Sequence, residues 1–157
     1  MMKSTMSLVL RLLALVSTAV AVAIMLKSHD STLVLGITFD AKYSHSPALQ
    51  YFVIAEGIGG IYSLVSLLLS RWTSSRHFVY LMDVVVAMLL SSSVSAALAI
   101  AYVGKKGESH AGWLPICKQV PRFCNEATGS LAAGFLAALL YMVLVLCCIR
   151  SLYALKP

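Results

Sequence analysis

The run from Phe78 to Val103, FVYLMDVVVAMLLSSSVSAALAIAYV, is long enough to cross a bilayer, which takes roughly 20 apolar residues. Its one charge, Asp83, lies about a turn and a half inside it. An ionised aspartate at the centre of such a helix costs roughly 2.5 to 3.5 kcal/mol, so acids in membrane helices face a bundle interior and find a partner there. The other apolar runs are therefore read for the side chain that neutralises this one.

Three further runs are of comparable length, at residues 8–26, 49–70 and 129–149, against 78–103 for the first described. All four are too long for barrel strands. With 60% of its residues hydrophobic and 11% charged, the chain falls outside the range of soluble domains, where roughly a quarter of residues are charged. These features predict an all-α membrane protein, with residues 1–157 forming one four-transmembrane-helix bundle. Its connections are residues 27–48, 71–77 and 104–128. The opening residues resemble a signal peptide, with Lys3 ahead of the apolar run and Ala21-Val22-Ala23 mimicking a cleavage site. Against that, the run exceeds the usual apolar core and Arg11 interrupts it. The net charge of +6 comes from Lys and Arg beside membrane segments, which suits interfacial anchoring and argues against nucleic acid as a partner.

Arg11 is the expected counter-charge. If the first and third helices enter from the same face, Arg11 lies three residues into one run and Asp83 five into the other. At ~1.5 Å per residue their depths differ by only a few Å. The competing reading has Arg11 reaching alone to the headgroups, as a long side chain near a helix end does readily.

Small residues recur at four-residue intervals in every later run. Ala55, Gly59 and Ser63 form one stripe and Gly129, Ala133 and Ala137 another; such stripes let helix backbones approach closely. In the third run, Ser91, Ser95 and Ala99 form one stripe and Ser93, Ala97 and Ala101 the next. These serines either line a polar path or bond their own helix carbonyls. Glu56 is either a buried acid or part of a wet crevice. In the first connection, Leu33 to Phe39 has the composition of a short strand. His29, Asp30, Asp40 and His45 match no compact ligand spacing, so no metal is expected, and no cofactor motif occurs. Cys147 and Cys148 near the end of the last run suit either apolar packing or palmitoylation.

Cys117 and Cys124 are the only cysteines outside an apolar run. On an oxidising side, a disulfide closing about eight residues would stabilise the loop by roughly 2.5 kcal/mol. Their C-x6-C spacing departs from the C-x-x-C of thiol oxidoreductases, which disfavours a four-helix redox enzyme. Lys3, Arg71, Arg76, Arg150 and Lys156 flank one face; Lys27, Lys42, Lys105, Lys106, Lys118 and Arg122 flank the other. The first set is concentrated in the short ends and turn, so both termini are expected in the cytoplasm, and the cysteine pair outside.

Several segments together resemble the Casparian strip membrane domain protein-like family of plants, relatives of the MARVEL four-helix proteins. They are Arg11, KYSHSPALQYFVIA (Lys42 to Ala55), Asp83, SSSVSAALAIAYVGKKGESHAGWLPIC (Ser91 to Cys117) and the Cys117 and Cys124 pair. The GKKGxSHAGWxPIC form, with Trp113 and Pro115, looks most like the family's first subgroup. The resemblance implies a plasma-membrane protein that forms homomers and heteromers, with Arg11 and Asp83 as the family's charged pair. Two departures stand out. Glu56 occupies a position where members often have Asn, and ITFDAKYSHSP differs from the first-loop signature of the founding Casparian strip proteins. The second favours a paralogue acting in another tissue.

The leading expectation is a non-enzymatic scaffold that oligomerises with itself and with paralogues through its small-residue faces, in contact with membrane lipid, and recruits cell-wall-modifying enzymes. The rival is a transporter or channel subunit, suggested by Glu56, Asp83 and the serine-rich third helix. No nucleophile and base, phosphate loop or metal cluster of recognisable spacing points to an enzyme.

Overall fold

A computed structural model describes residues 2–34, 37–69, 76–107, 112 and 115–153. Four helices dominate it: α1 (Met2–Lys27), α2 (Pro47–Leu69), α3 (Arg76–Lys106) and α4 (Pro121–Tyr153). Each is long and apolar enough to cross a membrane. All four outrun the apolar runs that mark them, except at the end of α2, because capping and packing extend helices into polar sequence. Pro47 and Pro121 open α2 and α4, where the missing N–H costs nothing and the fixed φ suits a first helical residue. At the end of α3, Gly107 adopts φ 71° and its N–H meets the Val103 carbonyl at 2.7 Å, a left-handed cap that a side chain would strain. Ser28 closes α1, its hydroxyl donating to Met25 O at 2.7 Å.

The four spanning helices are as expected, and the first connection adds short strands to them. Two strands, β1 (His29–Val34) and β2 (Ile37–Lys42), pair antiparallel with His29 opposite Lys42 and Val34 opposite Ile37. Leu33 and Val34 therefore end one strand and Ile37 to Phe39 open the next, where a single short strand was expected. The second connection is shorter than expected, because α4 begins eight residues earlier than the apolar run and takes Cys124 into its first turn.

Around the bundle, α1 and α3 each lie against α2 and α4, so α1 faces α3 across one diagonal and α2 faces α4 across the other. The helices alternate in direction, so the start of α1 and the end of α4 lie at one end. Two apolar clusters fill the interior. One, away from the termini, holds Met25, Leu49, Phe52, Val94 and Leu131. The other, nearer the termini, holds Ala14, Val86, Leu90, Tyr141 and Leu144. The outside of every helix is apolar too, with Val16, Ile61, Leu81, Met88 and Leu146 all more than half exposed. An apolar exterior around a packed interior is what a hydrocarbon solvent selects. The molecule is a four-helix membrane bundle.

Candidate functional site

Among the described residues, the termini-side half of the interior contains one ion pair, and it crosses the α1–α3 diagonal. Arg11 Nη2 donates to Asp83 Oδ2 at 2.6 Å, with the two side chains 8% and 0% exposed. The second carboxylate oxygen is also engaged: the Tyr62 hydroxyl of α2 lies 2.8 Å from Asp83 Oδ1 and 3.0 Å from the Val79 carbonyl. The Arg11 guanidinium sits 6.0 Å from the centre of the Tyr62 ring, within the range of cation–π attraction. Three helices thus converge on one carboxylate, and Arg11 points inward instead of reaching alone toward the headgroups. Removing one member of a buried pair leaves an uncompensated charge, at a cost of about 3–5 kcal/mol.

Polar contacts continue toward mid-bundle. The Tyr141 hydroxyl of α4 donates to Gly59 O at 2.8 Å and shares a hydrogen bond with Ser63 across the α2–α4 diagonal. Ser17 donates to Ala133 O at 2.8 Å and Ser130 to Ala21 O at 2.6 Å, tying α1 to α4 in both directions. Glu56 is fully buried, and neither carboxylate oxygen has a hydrogen-bond partner among the described residues. It belongs to the packed interior, not to a wet crevice.

At the other end, Cys117 in a single 3-10 turn (Ile116–Lys118) is joined by a disulfide to Cys124 in α4, with their Cα atoms 5.6 Å apart. The bond staples the second connection to the first turn of α4. Pro115 is half-buried beside it, whereas Trp113 lies outside the described residues. The side chains of His29, Asp30, Asp40 and His45 also lie outside the description.

A family model described as the Casparian strip membrane protein domain matches residues 1–140. The chain belongs to the Casparian strip membrane protein family. Among its relatives, CASP-like protein 1C2 of Ricinus communis is 50% identical over 99% of this chain and 98% of its own length. CASP-like protein 1C3 of Populus trichocarpa is 56% identical over 92% of this chain and 86% of its own. CASP-like protein 1C2 of Vitis vinifera is 57% identical over 88% and 86% respectively. No solved structure matches the chain.

Within this family member, the small-residue stripes are placed differently from the expectation that they face partner molecules. Ala55, Gly59 and Ser63 are all buried inside the bundle, as is Ala137; Ala133 is half-buried, and only Gly129 is exposed. Leu90 of α3 packs on Gly59, where an added Cβ would lie 3.2 Å from its side chain. The stripes serve packing within the molecule, because four helices of this length need close approach on their inner faces first. In α3 the two stripes diverge. Ser93 and Ala97 face the core, while Ser95 and Ala99 face outward beside exposed Ser92. Ser91, Ser93 and Ser95 donate to their own helix at Ala87 O, Leu90 O and Ser91 O, respectively. These contacts commit the hydroxyl protons that a polar path would use.

The residues that sequence reasoning passed over are Tyr62, Tyr141 and Gly134. A tyrosine inside an apolar run signals a hydroxyl in need of a partner, and Tyr62 lies on the helix antiparallel to Asp83. Gly134 carries no such signal. An added Cβ there would lie 2.6 Å from the Phe52 ring and 2.7 Å from Glu56 Oε1, so it is glycine because α2 side chains fill the centre.

Proposed function

We propose that this protein is a non-enzymatic scaffold of the plasma membrane, with both termini in the cytoplasm, that associates laterally with copies of itself and with paralogues. On this reading its platforms recruit cell-wall-modifying enzymes. The observation that carries it is the filled centre of the bundle. Met25, Phe52, Leu90 and Tyr141 are fully buried there, and the ion pair closes the termini-side end. A molecule packed in this way offers its surfaces, not its interior, for function. The rival reading as a transporter or channel subunit needs a route past these side chains, and Ser93, the core-facing serine of α3, is bonded to its own helix.

The outer face of α3 supports lateral association. Ser92, Ser95 and Ala99 are exposed there at i, i+3 and i+7, the spacing on which a neighbouring helix packs closely in a membrane. Cysteine placed at Ser95 and cross-linked in native membranes tests the reading. Dimers are expected from Ser95→Cys and not from Ile61→Cys on the outer face of α2. A protein that stays monomeric at every position, alone and with paralogues, overturns it. Flux in liposomes containing the purified protein would instead establish the transporter.

A further inference from the structure

We infer that Cys147 is a site of S-acylation and that its acyl chain lies in the groove between α1 and α4. Two independent features meet there. The first is a pair of free thiols, Cys147 and Cys148, both half-buried and three and two residues before exposed Arg150, at the end of the last candidate span. The second is an open groove of about 330 Å³ on the outside of the bundle. It is lined by Leu13, Val16 and Val20 of α1 and by Ala133, Leu136 and Leu140 of α4. Its one polar lining residue, Ser17, has its hydroxyl proton committed to Ala133 O. The groove therefore offers nothing to a headgroup and suits a hydrocarbon chain.

Helix geometry connects the two features and selects between the thiols. Cys147 follows Leu140 by seven residues and Leu136 by eleven, so all three lie on one face of α4. At ~1.5 Å per residue they are about 10 and 16 Å along the helix from the thiol. One leaflet of a hydrocarbon core roughly 30 Å thick spans about half that distance, so a chain anchored at Cys147 and directed inward reaches the groove. Cys148 instead follows Tyr141 by seven residues and shares its core-facing side. In the reaction, the Cys147 sulfur forms a bond to the acyl carbon of a long-chain acyl-coenzyme A, delivered by a membrane S-acyltransferase. The acyl–coenzyme A thioester bond breaks, and coenzyme A leaves as its thiol with the proton; nothing is oxidised or reduced.

This inference rests on the cytoplasmic placement of the termini, where acyl-coenzyme A is available. A tag at the C-terminus, probed with protease from either side of sealed vesicles, checks that placement separately. The full chain is then expressed in plant cells with a palmitate analogue bearing an alkyne and a diazirine. Hydroxylamine-sensitive label is expected on the wild type and on Cys148→Ser, and its loss is expected in Cys147→Ser. Irradiation is expected to link the chain to peptides containing Leu13 to Val20 or Ala133 to Leu140. Absence of the label, or its survival in Cys147→Ser, overturns the site. Links made only to bulk lipid or to α2 and α3 overturn the groove. A tag on the extracytoplasmic side overturns this inference together with the proposed orientation, whereas a cytoplasmic tag without the label overturns this inference alone.

Discussion

Asp83 and Glu56 are both fully buried acids in the same bundle, yet they are accommodated in opposite ways. Asp83 has an arginine 2.6 Å from one oxygen and a tyrosine hydroxyl 2.8 Å from the other. Glu56 has no hydrogen-bond partner among the described residues and is held by shape, between its own helix and the bare Cα of Gly134. Burial alone therefore does not measure how much a polar residue matters. What matters is whether neighbours are left unpaired when it is removed. Asp83 organises three helices through its partners, while Glu56 fills space.

The largest effect that bears on this contrast is expected from Asp83→Lys, which sets two cations against each other in the interior. Surface expression is expected to fall far below that of Asp83→Asn, whose amide still hydrogen-bonds. Equal surface levels of the two variants would remove the ion pair from the account. Next in size, Arg11→Leu alone is expected to destabilise by about 3–5 kcal/mol, and Arg11→Leu with Asp83→Leu to recover most of the loss, because an apolar pair replaces a charged one. Thermal unfolding in detergent reads both, and a double variant as unstable as the single breaks the reasoning.

A smaller effect is expected at the other acid. Gly134→Ala forces a methyl group against Phe52 and Glu56 and is expected to cost about 1–3 kcal/mol by overpacking. Pairing it with Glu56→Ala is expected to relieve part of that cost, and strict additivity would show that the two positions do not share one space. The smallest change is expected from Glu56→Gln, under about 1 kcal/mol, since no hydrogen bond is removed. A loss matching that of Arg11→Leu would place Glu56 beside Asp83 as an organising residue.

Much of this could be read directly from the chain. Four long apolar runs determine four spanning helices, since a backbone in hydrocarbon must satisfy its hydrogen bonds within each segment. One basic residue near the start of the first run and one acid near the start of the third are at matching depth, which made their pairing legible before any contact was known. The two loop cysteines, seven positions apart, were legible because they alone lie outside an apolar run, on the side expected to be oxidising.

Only the tertiary structure decided which way each helix faces. Small residues repeat on several sides of these helices, and a stripe in sequence carries no label for inside or outside when both the core and the solvent are apolar. Packing resolved it, sending Ala55, Gly59 and Ser63 inward and leaving Ser92, Ser95 and Ala99 on the outside. The hydroxyl of Tyr62 on Asp83 and the missing side chain at Gly134 emerged from the same step. Both depend on which residues meet across a diagonal, and that is set by the joint rotation of four helices, not by any one of them.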